Sequence, residues 1–479
     1  MDVNRSHEER FGLGENLLLL TDSYKLTHWK QYPPGTEKVY SYFESRGGMF
    51  DKVVFFGLQY FIQRYVEGAV VTQEKIDEAA KIAALHLGND KLFNKDGWGY
   101  ILREHGGMLP VSIKAVPEGS VVQTHNVLIT VENTDPKCYW LTNYLETLLV
   151  QTWYPTTVAT LSRNMKSRIL EYLDDTGNPE LIDFKLHDFG FRGVSSVESA
   201  GIGGAAHLVN FKGTDTIASL ILLRDYYDAE MAGFSVPAAE HSTITAWGRS
   251  HEAEAMRNML EQFPNGTVAV VSDSYNIYKA CSDIWGDKLK EKVLGREGVV
   301  VVRPDSGNPP DVVLDVLNIL GDRFGYTINS KGYRVLNDKI RVIQGDGMDY
   351  AMARDILENM RIHKWSADNV SFGMGGALLQ KLNRDTQKFA FKCSSVTVNG
   401  EERNVYKEPI TDPGKNSKAG RLKLVKVHAT YYTESDSDPG RDELVEVFRD
   451  GRLLRKYTLD EVRERAKIGN WLRLEEVEM

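Results

Sequence analysis

From about residue 184 onward the chain repeats one order of segments: a short apolar run, a cluster of polar residues or glycines, and then an amphipathic stretch. This order predicts strands that alternate with helices, as in a parallel sheet or a barrel. In a (β/α) barrel the polar clusters at the strand ends would face one mouth, where active sites lie, so a barrel is favoured and an open doubly wound sheet is the alternative. The seven apolar runs are Phe184–Leu186, Leu208–Phe211, Phe234–Val236, Val268–Val271, Val299–Val302, Ile340–Ile343 and Val370–Phe372.

The segments on either side of this region have a different pattern. Residues 111–131 alternate as antiparallel strands do, with a turn at Pro117-Glu118-Gly119, and Leu444–Thr458 is typical of a hairpin around Asp450-Gly451. We therefore expect an α/β protein with an irregular (β/α) barrel over residues 156–384. A second, discontinuous α+β domain is expected from both chain ends, residues 1–155 and 385–479.

Composition limits the classes of partner. The 479 residues include 58 basic and 67 acidic side chains, and the net charge of −9 argues against nucleic acid as the main partner. Cys138, Cys281 and Cys393 lie far apart and form no paired metal motif or disulfide framework, which fits a reducing compartment. No apolar run is long enough to span a membrane, so the sequence predicts a soluble cytoplasmic protein.

One histidine stands between an apolar run and a predicted helix start, in Pro237-Ala238-Ala239-Glu240-His241-Ser242-Thr243. Ser242 or Thr243 is expected to cap a helix that continues through Trp247, and amides at a helix start attract anions. The position therefore suits a histidine that handles phosphate, and a buried structural histidine is the alternative.

Glycines follow the last predicted strand in Gly373-Met374-Gly375-Gly376. A glycine turn that leads into a helix exposes amides that can hold a phosphate, and Lys381 and Arg384 add positive charge. A tight turn with surface cations is the alternative. By contrast, Gly201-Ile202-Gly203-Gly204 follows a helix-like stretch and is expected to serve close helix packing.

Charged residues at three other strand ends suit a phosphorylated sugar. Arg303 and Asp305 pair a cation with a carboxylate that can accept from two hydroxyls, and an internal ion pair is the alternative. Asp273 and Asp346 can bind Mg²⁺ through water or bind ribose hydroxyls. No all-protein metal cage is visible, so we expect Mg²⁺ to arrive with a phosphorylated substrate.

Phe189 and Arg192 lie three residues apart after the first predicted strand. An aromatic face and a guanidinium plane can enclose a flat heteroaromatic ring. Core packing is the alternative for Phe189.

Taken together, these residues occur in blocks that resemble those of the nicotinamide phosphoribosyltransferases, a family of type II phosphoribosyltransferases. The resemblance covers nearly the whole chain, except the first dozen residues, the loop after Arg46 and the region after about Lys426. The blocks are Thr21–Lys25, Lys185–Gly193, Asn210–Thr216, Pro237–Trp247, Arg303–Pro309 and Gln344–Gly347.

This resemblance implies transfer of phosphoribose from phosphoribosyl pyrophosphate to the ring nitrogen of nicotinamide, which gives nicotinamide mononucleotide and pyrophosphate in NAD salvage. It also implies a homodimer with shared active sites, and a histidine, His241 here, that ATP phosphorylates as an activating co-substrate. Mg²⁺ is the expected metal, with no dedicated protein site.

Roles carried over from the family place Phe189 and Arg192 around the nicotinamide ring, with Tyr24 of the partner subunit on its other side and Asp22 in the same block. The remaining contacts that the resemblance implies are Arg303 and Asp305 with ribose and pyrophosphate, Gly345 and Asp346 with the ribonucleotide, Gly375, Gly376 and Arg384 with its phosphate, and Lys392, Lys407 and Lys415 along a phosphate channel.

Asp215 decides the expected base. Its carboxylate can accept a hydrogen bond from the carboxamide of nicotinamide and would repel the carboxylate of nicotinate. A helix N-cap before Thr216 is the alternative, and one residue can do both. Nicotinate phosphoribosyltransferase is the nearest rival function, and a non-catalytic binding module on the same scaffold is the rival from another class.

Overall fold

The computed structural model describes residues 11–411 and 416–469. The strands are β1 Thr36–Ser45, β2 Lys52–Val54, β3 Val111–Ala115, β4 Val121–Gln123, β5 Val127–Asn133, β6 Leu186–Asp188, β7 Gly213–Thr214, β8 Val268–Val271, β9 Val300–Arg303, β10 Tyr326–Ile328, β11 Arg334–Leu336, β12 Ile340–Gln344, β13 Val370–Met374, β14 Phe389–Val398, β15 Glu401–Asn404, β16 Leu422–Val427, β17 Thr430–Ser435, β18 Val445–Arg449 and β19 Arg452–Leu453. The α-helices are α1 Leu58–Phe61, α2 Gln73–Leu87, α3 Lys95–Glu104, α4 Leu141–Tyr144, α5 Glu146–Leu149, α6 Trp153–Thr176, α7 Val197–Leu208, α8 Ile217–Tyr227, α9 His241–Thr245, α10 Glu252–Gln262, α11 Ile277–Lys279, α12 Lys290–Gly295, α13 Pro309–Phe324, α14 Tyr350–Ile362, α15 Gly376–Leu379 and α16 Leu459–Ala466. Within the described ranges, no helix is both long enough and apolar enough to cross a membrane.

The chain divides into two compact units, with the divisions at Thr160/Leu161 and Leu382/Asn383. The first unit contains the described residues up to Thr160 together with Asn383–Ala466, and the second is formed mainly by Leu161–Leu382.

An antiparallel sheet organises the first unit. Its order is β15-β14-β1-β5-β3-β18-β19, so three strands from the N-terminal part of the chain lie between two pairs from the C-terminal part. Strand β1 lies between β14 and β5 and is buried along most of its length, because both faces are covered. The predicted hairpin around Asp450-Gly451 is confirmed by the antiparallel pair β18 and β19. The expected α+β architecture built from both chain ends is therefore present.

A parallel sheet of order β7-β6-β13-β12-β9-β8 organises the second unit. One irregular segment makes single parallel bridges to both edge strands, Phe234 with Gly213 of β7 and Ala238 with Ala269 of β8. Backbone hydrogen bonds of 2.7–3.0 Å hold each bridge. The segment joins the two edges, so the sheet is an irregular barrel rather than an open doubly wound sheet.

Three of the seven predicted strands differ from those observed. Pro179–Phe184 is a 3-10 helix, and β6 begins only at Leu186. Leu208 ends α7, and β7 is Gly213–Thr214, so the predicted strand at 208–211 is wrong. Phe234–Val236 contributes one bridge and no strand. Only the run at 208–211 is buried, at the end of α7, whereas Phe184 and Phe234 are exposed, so a short apolar run distinguishes neither strand from helix nor core from surface.

Close packing of α7 on α8 explains the glycines of Gly201-Ile202-Gly203-Gly204. A Cβ on Gly204 would lie 2.8 Å from Cβ of Ser219 on α8, and one on Gly201 would lie 3.4 Å from Leu222. The prediction that this run serves helix packing is confirmed.

A buried histidine connects the first two strands of the barrel. His207 Nε2 lies 3.2 Å from the carbonyl oxygens of both Leu186 and Gly213, and Nδ1 lies 3.0 Å from Ser162 Oγ. Two carbonyl acceptors at Nε2 require the proton there, so Nδ1 accepts from the serine. Burial lowers the pKa of His207 to about 3, and the ring is therefore neutral at physiological pH.

We expect His207→Leu to lower the free energy of unfolding by about 2–4 kcal/mol, because each buried polar group left without its partner costs about 1–3 kcal/mol. The histidine binds a proton more weakly in the folded than in the unfolded chain, so its share of stability is complete above its ordinary pKa and is lost as pH falls below it. Urea unfolding across that range measures both effects. The exposed His363 provides the control, and equal losses in His207→Leu and His363→Leu would contradict the prediction.

Candidate active site

His241 is the first residue of α9 and lies at the surface. Its Nε2 atom is 2.9 Å from Oδ1 of Asp273, which follows β8, and its side chain is 48% exposed. Ser306, after β9, donates to the other oxygen of Asp273 at 2.6 Å. Loops that follow two strands and the closing segment thus meet at one exposed imidazole, and the alternative of a buried structural histidine is wrong.

The local cap of this helix differs from the prediction. Glu240 is the N-cap residue of α9, with no side-chain cap bond, and the helix ends at Thr245 rather than continuing through Trp247. Ser242 Oγ donates to the Glu240 carboxylate, and Thr243 Oγ1 donates to the Glu240 carbonyl at 2.9 Å. The hydroxyls lie inside the first turn and satisfy Glu240, so they are not available as caps.

Arg303 and Asp305 form the ion pair that the sequence left as an alternative. Nε and Nη2 of Arg303 donate to Asp305 Oδ1 at 2.9 and 2.7 Å. Burial raises the pKa of Asp305, and the bonded guanidinium opposes that shift. Gly345 leaves room for Arg303, since a Cβ there would lie 3.2 Å from Nε. The pair is held at the strand ends, and a ligand can still contact the remaining guanidinium and carboxylate edges.

The Phe189 ring lies against β13. The backbone amide of Phe189 donates to the carbonyl of Met374 at 3.0 Å, and Arg303 Cζ lies 5.5 Å from the Phe189 ring centroid. A Cβ on Gly373 would lie 1.9 Å from the ring, so only glycine fits there. Arg192 is exposed on the 3-10 turn Phe191–Gly193. The half-buried ring and the Arg303 guanidinium form a flat, cationic surface suited to an aromatic base.

Asp215 follows β7 and is exposed. Ser235 Oγ donates to Asp215 Oδ1 at 2.5 Å, and the Asp215 amide donates to the Asp188 carbonyl at 2.9 Å. Thr216, not Asp215, is the N-cap residue of α8, so the N-cap alternative is wrong. Ser235 was not among the predicted site residues, because it stood inside a predicted strand.

The glycine turn after β13 packs beside the turn that follows β6. Gly375 is the N-cap residue of α15, and an added Cβ on Gly193 would lie 3.2 Å from Gly376 Cα. Open space surrounds the Cβ position of Gly376, so a ligand can approach its backbone. Lys381 is paired with Asp349 at 3.6 Å.

The loop after β12 carries Gly345 and Asp346. The Gln344 side chain donates to the Asp346 carbonyl at 2.8 Å, which fixes the loop, while the Asp346 side chain is exposed. Asp346, Asp273 and Asp305 are the carboxylates at these strand ends that can bind Mg²⁺ through water.

In the first unit, three cations interact with the strand residue Lys392. Lys392 of β14 lies opposite Tyr42 of β1 in the antiparallel register. Burial lowers the pKa of Lys392, Glu146 opposes this, and Arg46, Lys407 and Arg384 lower it further. We call Arg46, Arg384, Lys392 and Lys407 the basic cluster. Such a cluster suits phosphate oxygens.

Arg46 was not among the predicted site residues. Its Nε atom is buried without a hydrogen-bond partner among the described residues. Lys415, predicted for the same channel, lies outside the described residues.

The block around Tyr24 also lies in the first unit, on the 3-10 helix Ser23–Lys30. Tyr24 is 59% exposed and meets His28 edge-on, with ring centroids 4.8 Å apart. Asp22 accepts from Thr147 Oγ1 at 2.8 Å. Beside them Lys25 is buried and paired with Glu146 at 2.7 Å, which fixes the segment and leaves the Tyr24 ring at the surface.

Family comparisons give matches in both parts of the chain. The nicotinate phosphoribosyltransferase (NAPRTase) family matches residues 184–452, and the N-terminal domain of nicotinamide phosphoribosyltransferase matches residues 16–113. A nicotinamide phosphoribosyltransferase of Xanthomonas campestris is 53% identical, over 94% of this chain and 98% of the relative. One of Acinetobacter baylyi is 34% identical, over 94% of this chain and 97% of the relative.

Solved structures share the fold at much lower identity. Nicotinate-nucleotide pyrophosphorylase from Pyrococcus furiosus has a TM-score of 0.59 at 15% identity, with 97% of each chain covered. Human nicotinic acid phosphoribosyltransferase has a TM-score of 0.53 at 15% identity, covering 94% of this chain and 93% of that chain.

We expect Gly373→Ala to destabilise the protein by about 1–3 kcal/mol, because the added methyl group must displace the Phe189 ring and overpacking costs about that much. Guanidinium unfolding measures the loss. Gly295→Ala is the control, since its Cβ would meet nothing within 4 Å.

The double variant Gly373→Ala/Phe189→Ala removes the clashing ring. Its loss should be smaller than the sum of the two single losses. Strict additivity would show that the methyl group and the ring do not meet.

Proposed function

The chain belongs to the nicotinate phosphoribosyltransferase family, within the nicotinamide phosphoribosyltransferases, and we propose that it converts nicotinamide and phosphoribosyl pyrophosphate to nicotinamide mononucleotide and pyrophosphate. Asp215 carries the choice of base. Its exposed carboxylate follows β7 and accepts a hydrogen bond from Ser235. Strand β7 pairs with β6, and the turn after β6 carries Phe189 and Arg192. A carboxamide can donate to this carboxylate, whereas a carboxylated base would be repelled.

The chemistry needs positioning and charge more than proton transfer. Departure of pyrophosphate leaves positive charge on the ribose ring, and the pyridine nitrogen attacks with its lone pair and has no proton to lose. Arg303 stabilises the leaving group, and Asp305 orients Arg303 while it accepts from ribose hydroxyls. Asp273, Asp305 and Asp346 are the carboxylates that would hold Mg²⁺ through water, and the ion would supply positive charge to the departing pyrophosphate. Phe189 and Arg192 hold the base in line for attack.

Phosphate groups have several further candidate sites. We assign the ribose 5-phosphate to the backbone of Gly375 and Gly376 and the ribonucleotide to Gly345 and Asp346. The basic cluster is the candidate phosphate channel, with Lys415 retained as a prediction.

The protein is proposed to act as a homodimer in the cytoplasm. The exposure of Tyr24 supports its role against the base bound by the partner subunit. Cys138 and Cys281 are buried free thiols, which suits a reducing compartment.

ATP is proposed to phosphorylate His241, with ADP as the leaving product. The ring is exposed and oriented by Asp273, which supports this role. Phosphate there adds negative charge beside the Ser306–Asp273 bond, so it can order the loops that hold pyrophosphate and Mg²⁺.

We expect the purified protein, given phosphoribosyl pyrophosphate, Mg²⁺ and equal nicotinamide and nicotinate, to form mainly nicotinamide mononucleotide. Asp215→Ala should lower kcat/KM for nicotinamide about 10- to 100-fold, the factor for losing a hydrogen bond to a charged group. Asp215→Asn keeps an acceptor without the charge and should mainly raise the use of nicotinate. Chromatography of the products measures both.

Asp225→Asn, on the exposed face of α8, is the matched control. Preferential formation of nicotinate mononucleotide by the wild type would favour the nicotinate enzyme. Absence of both products would favour a non-catalytic binding module.

We expect ATP to raise the rate of product formation in the wild type and not in His241→Ala, because only the wild type has an imidazole at this position to phosphorylate. Initial rates with and without ATP, together with phosphate incorporation from labelled ATP, test this. His363→Ala changes an exposed histidine that caps the C-terminus of α14 and should keep full stimulation. Full stimulation of His241→Ala would remove the assigned role.

A further inference from the structure

Asp188 is a completely buried carboxylate at the end of β6. A carboxylate is costly to bury unless hydrogen bonds compensate it, so its partners indicate why the chain places it there. None of the ligand contacts assigned above uses this side chain.

The partners of Asp188 lie on both sides of the proposed base site. Its Oδ1 accepts from the Gly190 amide at 2.7 Å, within the turn that carries Phe189 and Arg192. Its carbonyl accepts from the Asp215 amide at 2.9 Å. One residue is therefore bonded to both the ring-stacking turn and the carboxylate that selects the base.

Helices α7 and α8 leave space for this side chain, and among the described residues no cation is bonded to it. A Cβ on Gly204 of α7 would lie 3.0 Å from Asp188 Oδ2 and 2.8 Å from Ser219 of α8. Thr214 Oγ1 lies 3.5 Å from the same oxygen, a distance at the limit of a hydrogen bond. The glycine therefore makes room for the carboxylate without supplying an opposite charge.

The electrostatics of the site follow from this burial. Burial raises the pKa of Asp188 to about 6, the Thr216 side chain, the Gly190 amide and the Thr214 hydroxyl oppose the rise, and the negative charge of Asp215 adds to it. His187 precedes Asp188 in β6. Burial lowers the pKa of His187, and the negative charge of Asp215 opposes that shift. Asp188 is therefore ionised at neutral pH and adds a second negative charge beside Asp215.

We infer that Asp188 is a positioning and selectivity residue of the base site. Its carboxylate fixes the turn after β6 and its carbonyl fixes Asp215, while its charge adds to the repulsion of a carboxylated pyridine. This inference rests on the proposed function, because it concerns selection between nicotinamide and nicotinate at that site.

The Asp188→Asn variant tests the charge while it keeps an acceptor for the Gly190 amide. We expect the ratio of kcat/KM for nicotinamide to that for nicotinate to fall about tenfold, the factor that corresponds to one pKa unit of charge interaction. In the wild type this ratio should fall as pH is lowered through about 6, and in the variant this step should be absent. Asp368→Asn is the matched control, since Asp368 also accepts a backbone amide, that of Asn178 at 2.7 Å, but precedes β13 instead of following a strand.

Thermal stability separates this role from a purely structural one. A carboxylate whose pKa is raised by folding binds its proton more tightly in the folded chain, so the wild type loses stability as pH rises through about 6. The difference between the Tm of Asp188→Asn and that of the wild type should therefore shift in favour of the variant as pH rises through about 6. A variant with a lower Tm throughout and an unchanged ratio at every pH would overturn the inference.

A second variant and a binding measurement keep the test decisive. If Asp188→Asn does not fold, Thr214→Val removes the hydroxyl beside Oδ2 and should move the pH step in the selectivity ratio upward; an unmoved step would count against the inference. Titration calorimetry with nicotinamide and with nicotinate reports selectivity without turnover. Wild type that binds nicotinamide selectively but makes no mononucleotide would refute the proposed function, and the effect of Asp188→Asn on that selectivity would still decide the inference.

Discussion

Closure of the parallel sheet by one irregular segment is the constraint on which the candidate site depends. Phe234 and Ala238 each make a single bridge to an edge strand, four residues apart in sequence. Between them lies Ser235, which holds Asp215, and just after them His241 meets Asp273. Since two short bridges replace a regular strand, the segment supplies side chains to the mouth of the barrel at both edges. An open sheet would leave these two groups at opposite margins.

Space for closely packed side chains is the second determinant of the site, and glycine residues provide it. Gly373 admits the Phe189 ring, Gly345 admits the Arg303 guanidinium, and Gly204 admits the Asp188 carboxylate. A Cβ at Gly373 would overlap the ring, and a Cβ at Gly345 or Gly204 would lie only 3.2 or 3.0 Å from the side chain that each glycine admits. The Phe189 ring and the Arg303 guanidinium can therefore take their positions because Gly373 and Gly345 have no side chains there. This requirement explains the glycines at these strand ends.

The sequence was informative where one local cause determines the structure. Val268–Val271 is a run of small and β-branched residues buried on both faces, so its strand was predictable to the residue. Leu208–Phe211 is also mostly apolar, but there the end of α7 and a turn occupy the buried position, next to His207, which bonds the Leu186 carbonyl of β6. The same distinction holds for the site. Asp305 and Arg303 are two residues apart and their pairing was foreseen, whereas the partners Ser235 and Arg46 are set by contacts that the fold creates.

The aspartates of the barrel show how position, not residue type, assigns chemistry. Asp305 is bonded to a guanidinium and Asp273 is shared by a histidine and a serine, so both orient other groups. Asp215 is exposed and bonded to one hydroxyl, which leaves acceptor capacity for a ligand. Asp188 is buried and, within the described part of the chain, is bonded to no cation, so its charge interacts through the low-dielectric interior with that of Asp215. A base that carries its own negative charge must meet the field of both Asp215 and Asp188, while a neutral carboxamide meets only a hydrogen-bond acceptor. In the proposed function, discrimination between the two bases would therefore depend on the pair of strand ends β6 and β7 rather than on a single contact.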